Sequence, residues 1–357
     1  MKTIRIKFPF KLKKPVLALG PQVKNTICFA KGETAWISPV HADLDTLPGL
    51  LAFEKDLKRF LQKQPKIIAC DLHPEYQSSR YALRLPVKYH LEYIQHHHAH
   101  IASCMAENGL KNQKVIGVAF DGTGLGADNH IWGAEFLLCD YKKFSRLAYL
   151  REIPLVGGEK AILEPWRLLA AWFNFDQAID KKQRLKKIYQ AGINSPLASS
   201  MGRLFDAAAS LILGKREAKF EAELAIALEK SAAQNKLKAA GYAFSLVKSK
   251  SGYILDPAAC FKQIKRDLKA GRPREFIAWR FHHSVAQMLV KTCLALRREN
   301  KINRIALSGG VFQNRLLLQA ALDLLCKEGF LVFTHRYLLC NDASISLGQA
   351  AIAAYRS

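Results

Sequence analysis

No two cysteines in this chain stand two residues apart. The eight are scattered, at positions 28, 70, 104, 139, 260, 293, 326 and 340. Without paired CxxC ligands a zinc finger is excluded, and nothing suggests a disulfide framework. Several, Cys139 and Cys293 among them, lie in apolar runs, which suits free, buried thiols in a reducing cytoplasm. No apolar run reaches the roughly 18 residues a membrane span requires. Residues 1–7 alternate polar and apolar and lack the apolar stretch of a secretory signal. The expectation is a cytoplasmic protein with no membrane contact. Acidic residues are also scarce, 30 against 54 Lys and Arg, for a formal net charge of +24. The excess is concentrated in residues 2–14, 181–187 and 262–274. Such a field attracts acidic proteins or nucleic acid. No aromatics interleave with the basic clusters and no nucleic-acid module motif is present, so nucleic acid is not the expected partner.

What is present is a chain of 357 residues, half of them hydrophobic, long enough for two domains. Residues 15–20 read as a buried strand ending at Gly20. Lys24, Asn25 and Thr26 then lead into a second strand at 27–30. Strand, Gly turn with Lys and Thr, strand is the form of a phosphate-facing hairpin, and equally of an ordinary one. Residues 34–38 follow as a strand, 47–62 carry apolar residues at helical spacing, and 66–71 form a strand ending in Asp71. Residues 115–120 are a strongly apolar strand that delivers Asp121 into Gly122-Thr123-Gly124-Leu125-Gly126, and 131–138 return as its partner. A carboxylate at the end of a buried strand, beside glycines that admit a phosphate or metal, is a site signature. A plain Asp-Gly hairpin is the rival reading. Helical patterns occupy 161–213, 219–230 and 276–300. Residues 304–314 read as strand, Gly309-Gly310 turn and helix start, a nucleotide-binding form. A strand at 331–334 and a final helix at 345–355 complete an α/β pattern. No repeat is recognisable by eye.

Four of the 11 histidines fall within QHHHAHI at 95–101. On a helix His96 and His100 share one face, where two imidazoles can hold one divalent metal. A solvated polar helix start is the alternative. Asp342 can cap the last helix or complete the ligand set.

Taken in order, QHHHAHIA (95–102), FDGTGLG (120–126), EPWR (164–167), SMGRLFD (200–206), LSGGVFQN (307–314) and Asn341 with SLGQ (346–349) resemble the C-terminal domain of HypF. LALG (17–20) with Lys24, Asn25 and Thr26, and DLHP (71–74), belong to the same set. HypF is the carbamoyltransferase of [NiFe]-hydrogenase maturation, and the likeness runs from about Pro15 to the end. It implies the ASKHA (actin-like ATPase) fold: two lobes with a nucleotide and metal cleft between them. The division expected is a basic segment 1–14, a first lobe 15–110 joined by the final helix 343–357, and a second lobe 111–342. The resemblance implies that His96, His100 and Asp342 ligate one divalent metal (iron, zinc or magnesium). Asp121 would act beside it, with Lys24 as a second catalytic group. Gly122, Gly124, Gly202, Asp206, Glu221, Gly309, Gly310 and Asn314 would hold ATP or carbamoyl-adenylate.

The activity implied is transfer of an activated carbamoyl group to the C-terminal Cys of a HypE-like protein. The acylphosphatase, zinc and YrdC-like domains of full-length HypF have no counterpart here, so a separate YrdC-like protein is the expected source of carbamoyl-adenylate. An O-carbamoyltransferase, a TsaD-like tRNA-modifying enzyme and a nucleotide-binding pseudoenzyme are the alternatives. Three departures from the family pattern stand out: Phe220-Glu221-Ala222-Glu223 for YEGQ, Asp342-Ala343-Ser344 for DGG, and Gly157-Gly158-Glu159 for GGD. The DGG change is expected to crowd the site with an added methyl and hydroxymethyl.

Overall fold

In the computed structural model, residues 3–175 and 180–357 are described. The start of the basic N-terminal stretch and positions 176–179 of the helical pattern 161–213 lie outside the described residues. The chain begins with β1 (Ile4–Lys7), β2 (Val16–Ala18), β3 (Cys28–Lys31), β4 (Thr34–Ile37), α1 (Leu47–Leu61), β5 (Ile67–Asp71), α2 (Gln77–Arg84), β6 (His90–Ile94) and α3 (His96–Glu107). It continues through β7 (Val115–Phe120), β8 (Ile131–Cys139), β9 (Phe144–Leu150), β10 (Ile153–Pro154), α4 (Lys160–Leu163), α5 (Trp166–Trp172), α6 (Asp180–Gln190), β11 (Leu197–Ser200), α7 (Met201–Leu213) and α8 (Glu223–Ala233). The remainder is β12 (Ser245–Ser249), β13 (Gly252–Asp256), α9 (Ala258–Lys269), α10 (Arg274–Asn300), β14 (Arg304–Ser308), α11 (Arg315–Lys327), β15 (Leu331–Phe333) and α12 (Ile345–Arg356).

The first sheet has the order β1-β4-β3-β2-β5-β6 and the second β12-β13-β9-β8-β7-β14-β15, with β10 and β11 beside β8. In each, three antiparallel strands (β2–β3–β4 and β7–β8–β9) are followed by two parallel ones on the other side of the first (β5 then β6, β14 then β15). The chain therefore contains a repeat of topology that has no visible counterpart in residues. This α/β architecture of two sheets matches what the resemblance implies. Helices α3 and α12 lie between the sheets, α3 against β7, β8 and β14, and α12 against β2, β3 and β5. They form one core with both sheets. A second core gathers the far face of the second sheet with α7, α8, α10 and α11, and a third packs Phe53, Leu57 and Phe60 of α1 on the first sheet. α1 starts where Thr46 accepts a hydrogen bond from the Gly49 amide, an N-cap that satisfies one orphan donor.

The SLGQ motif of α12 is what ties these layers together. A Cβ on Gly348 would sit 1.8 Å from the Ala99 carbonyl oxygen of α3, so only glycine permits this crossing. Gln349 accepts from the Gly20 amide at 2.9 Å. Ser346 and Thr26 share a 2.6 Å hydroxyl contact, and Thr26 donates to the Ala343 carbonyl at 2.9 Å. The hairpin at 20–28 is thus locked to α12.

Several local readings change. The helical pattern 161–213 is broken by β11, which pairs with β8 and β10. The helix expected at 219–230 begins only at Glu223. The β12–β13 hairpin and β9 carry no strong period-2 pattern, and neither they nor β1, whose alternation at 4–7 counts only against a secretory signal, were anticipated as strands. β1 takes residues 4–7 into the first sheet, pairing with β4. No described helix is long and apolar enough to cross a membrane.

Candidate active site

The cleft opens at the carboxyl ends of β2, β5, β7 and β14, where α/β proteins place ligands. α3 begins directly after β6, and Gln95 caps it by accepting from the His98 amide at 2.8 Å. Far from a solvated start, all twelve residues of α3 are buried. That burial separates the four histidines by function. His98 donates to the Asp140 carbonyl at 2.6 Å and His97 is paired with Gln95, both ordinary interior roles. His96 and His100 turn their Nε2 atoms toward two carboxylates. His100 Nε2 lies 2.8 Å from Asp121 Oδ2 and 3.6 Å from Asp342 Oδ1. His96 Nε2 lies 3.8 and 3.9 Å from the same two oxygens. One ligand atom from each of the four residues falls within 4.8 Å of the other three.

The outer contacts orient both rings. His96 Nδ1 donates to Asp71 Oδ2 at 2.9 Å, and His100 Nδ1 faces Ser308 Oγ at 3.3 Å. A carboxylate behind an imidazole is the usual support of a metal-ligating histidine. His96 Nε2 is buried and has no hydrogen-bond partner among the described residues, an arrangement that costs free energy unless something fills it. Two imidazole nitrogens with two carboxylates fit a divalent zinc or iron ion. Burial pulls His96 down, but Asp71, Asp121 and Asp342 outweigh it and hold the ring well above its ordinary range. His100 is likewise raised, by Asp121 and Asp342 against burial. Burial alone would raise Asp121, but its bond to His100 and the nearby His96 imidazole hold it well below.

Asp121 also organises the turns. Its Oδ1 accepts from the Gly122 amide at 2.8 Å and the Gly310 amide at 3.3 Å. The Gly309 amide donates to the Cys340 carbonyl at 2.8 Å. The Gly-Gly amides are therefore spent inside the protein, and a short 3-10 turn, Gly310–Gln313, intervenes before α11. This differs from the expected amide-lined helix start. Gly309 sits at φ +103°, and a Cβ there would meet the Phe120 carbonyl oxygen at 2.3 Å. Asn314 caps α11 through the Leu317 amide and also contacts His282. Asp342 does not cap α12, whose N-cap Ser344 makes no side-chain cap bond; it opens a short 3-10 turn, Asp342–Ser344, that Asn341 caps through the Ala343 amide, and its carboxylate faces the histidines.

The cleft measures about 1140 Å³. Lys24, Asp121, Gly122, Gly124, Gly202, Asp206, Glu221, Gly310, Asn314 and Asp342 all line it, whereas Gly309 does not. Gly202 opens α7 so close to the 121–122 turn that a Cβ would be 2.9 Å from Gly122 Cα. Arg203 was not anticipated as a site residue. It is fully buried, reaches Glu221 at 2.9 Å and Asp206 at 3.3 Å, and keeps Nε and Nη1 unpartnered among the described residues. Burial pushes Asp206 up to about 6, with Arg203 opposing and Glu221 adding to the shift. Ala222 stands in the left-handed region at φ +66°. Neither Ala343 nor Ser344 lines the cleft. Ser344 donates to the Asn341 carbonyl, so the expected crowding does not occur. All eight cysteines are free, and burial raises the thiols of Cys28, Cys70, Cys104, Cys139, Cys260, Cys293 and Cys340. None of those seven is activated as a thiolate. Tyr76 and Asp71, absent from the anticipated set, also belong here. Tyr76 lines the cleft, stacked on His73 at 4.2 Å.

Residues 11–107 match the HypF Kae1-like domain, and residues 117–349 match the second subdomain of the carbamoyltransferase Kae1-like domain. A carbamoyltransferase HypF of Synechocystis is 34% identical over 96% of this chain but only 48% of its own length. A HypF homolog of Cupriavidus necator is 33% identical, covering 95% of this chain and 91% of its own. A crystal structure of full-length HypF in a phosphate- and nucleotide-bound form superposes with a TM-score of 0.92 at 37% identity, over 98% of this chain and 57% of that one. The chain thus spans about half the length of the Synechocystis relative and nearly all of the Cupriavidus homolog. It belongs to the HypF carbamoyltransferase family, as the Kae1-like portion of that family's sequence.

Proposed function

We propose that this chain carries out the transfer half of HypF chemistry, moving a carbamoyl group from carbamoyl-adenylate to the C-terminal Cys of a HypE-like protein. The observation that carries the reading is the convergence of His96, His100, Asp121 and Asp342, with the two carboxylates lining a cleft large enough for a nucleotide. His96, His100 and Asp342 would hold one divalent metal, with Asp121 beside it. The metal would supply Lewis acidity toward phosphate and carbonyl oxygens. The partner's thiolate attacks the carbamoyl carbon, a C–S bond forms, the C–O bond to the adenylate phosphate breaks, and AMP leaves. Asp206 and Glu221, held by Arg203, are suited to accept hydrogen bonds from ribose hydroxyls. The glycines at 122, 124, 202 and 310 let the nucleotide approach the backbone closely. Lys24, exposed on the opposite rim, is placed to neutralise phosphate charge. The nucleophile comes from the partner, since seven of this chain's eight thiols are held protonated by burial. The lobes 15–110 and 111–342, with 343–357 returning to the first, would close on this cleft.

The basic surface would recruit a separate YrdC-like protein that makes the adenylate. The test is a reconstitution with a HypE-like C-terminal tail, carbamoyl phosphate and ATP, read by mass spectrometry of the tail. Carbamoylation is expected only when a YrdC-type protein is added. Robust modification by the chain alone would place the activating step here and overturn the split.

A further inference from the structure

Helix α3 carries more of the site than its two histidines. Positions 96, 100 and 107 are spaced by four and seven, so they share one helix face. Glu107, at the far end, has a fully buried side chain. Its Oε1 accepts from the backbone amides of Arg336 at 2.7 Å, Tyr337, and Leu338 at 2.9 Å. Its Oε2 accepts from His335 Nδ1 at 2.6 Å. On its other side, His335 Nε2 lies 2.9 Å from Ser308 Oγ, and Ser308 Oγ lies 3.3 Å from His100 Nδ1. All three intermediaries are shut off from solvent: the His335 and Glu107 side chains are 3% and 0% exposed and Ser308 is 0% exposed.

Hydrogen-bond direction along this line is determined by its end. A carboxylate that takes three amides and an imidazole only accepts. His335 must therefore donate from Nδ1, which in the neutral ring leaves a lone pair on Nε2. Ser308 spends its one proton on that lone pair. Toward His100 it can then only accept, so His100 keeps a proton on Nδ1, and the Nε2 proton now given to Asp121 Oδ2 at 2.8 Å is the one a metal would displace. We propose that Glu107, His335 and Ser308 form a directional relay that sets the tautomer of His100, while the same carboxylate pins the segment that carries Asp342. His96 has the equivalent support directly, from Asp71. The pinning is reinforced at the segment's start, where Asn108 donates to the Thr334 carbonyl at 2.8 Å. These are positioning residues, and their role rests on the reading of His96, His100 and Asp342 as metal ligands.

The deciding variant is Glu107→Gln. Its amide oxygen can keep the backbone amides while its NH2 donates to His335 Nδ1, which reverses the line. His335 then donates from Nε2, Ser308 donates to His100 Nδ1, and the proton left to His100 is the one on Nε2. In the purified full chain, zinc affinity by chelator competition should fall about tenfold or more, the scale of lost outer-shell support. Imidazole 1H–15N spectra should show the His335 proton move from Nδ1 to Nε2. Ser308→Ala touches none of the loop amides and should weaken zinc comparably, with His335 still protonated on Nδ1. The double variant should lose no more than the larger single loss, because both break one line. Zinc affinity within about twofold of wild type in both single variants would overturn the relay, given the expected size of such effects. So would a His335 protonated on Nε2 in the wild type. If Glu107→Gln fails to fold, Ser308→Ala decides. If the wild type binds no zinc, the metal reading falls, and the His335 tautomer still decides the relay's direction.

Discussion

Asp206 is the group whose environment and role conflict most sharply, and the conflict has a measurable size. Burial raises its pKa from an ordinary 3.8 to about 6 in the folded protein. At about 1.4 kcal/mol per pH unit, keeping it ionised at neutral pH costs the free protein up to about 3 kcal/mol. Because the folded value lies above the unfolded one, the group's contribution to stability is full below the unfolded pKa. It is lost as pH rises through about 6. Asp206→Asn removes that loss. Urea denaturation across pH should show the variant's advantage over wild type growing from near zero at about pH 3 to at most about 3 kcal/mol at pH 7. Weakened attraction to Arg203, 3.3 Å away, will trim the upper figure. The same substitution should weaken nucleotide binding, because ribose hydroxyls donating to an ionised Asp206 favour the charged form. Stability gained with binding lost is the expected trade at a functional group. A variant–wild-type difference that stays flat with pH, or a variant less stable than wild type at neutral pH, would refute the assignment.

His100→Ala should abolish binding of one divalent metal per chain; metal analysis giving equal content in variant and wild type would remove it from the ligand set. Gly124→Ala would place a Cβ 2.6 Å from His97 Cε1 and 2.8 Å from His96 Cδ2, so it should lower metal content while leaving far-ultraviolet circular dichroism unchanged. Ala222→Gly relaxes a left-handed residue at φ +66° and should raise stability by about 0.5–1 kcal/mol in urea; a loss would mean the methyl packs usefully. Carbamoyl transfer dependent on a separate YrdC-type protein should slow as ionic strength rises, since exposed charges are screened beyond about 8 Å at 0.15 M salt; a salt-independent rate would remove the basic surface from recruitment.

How much of this was legible in the sequence follows the separation of the partners. His96 and His100 are four apart, so helical geometry alone places them on one face, and Asp121 is announced by the apolar strand and glycines around it. Asp342 was readable only as a choice between cap and ligand, because the choice depends on the 3-10 turn that Asn341 opens ahead of α12 and on α12 crossing α3. The outer contacts were out of reach. Asp71 is 25 residues from His96, Ser308 is 208 from His100 and Glu107 is 228 from His335, and no periodicity encodes such distances. The one available signal was the shared face of 96, 100 and 107 on a helix otherwise rich in small residues. The SLGQ motif was visible as a signature, yet its meaning is architectural: Ser346 and Gln349 tie α12 to the 20–28 hairpin and Gly348 admits its crossing with α3. The Gly309-Gly310 turn misled for a related reason. Glycines there suggest amides offered to a phosphate, whereas Gly309 is required by the Phe120 backbone and the Gly310 amide is drawn to Asp121. A residue type limits what a backbone can do; only the packing around it decides which of those possibilities faces the cleft.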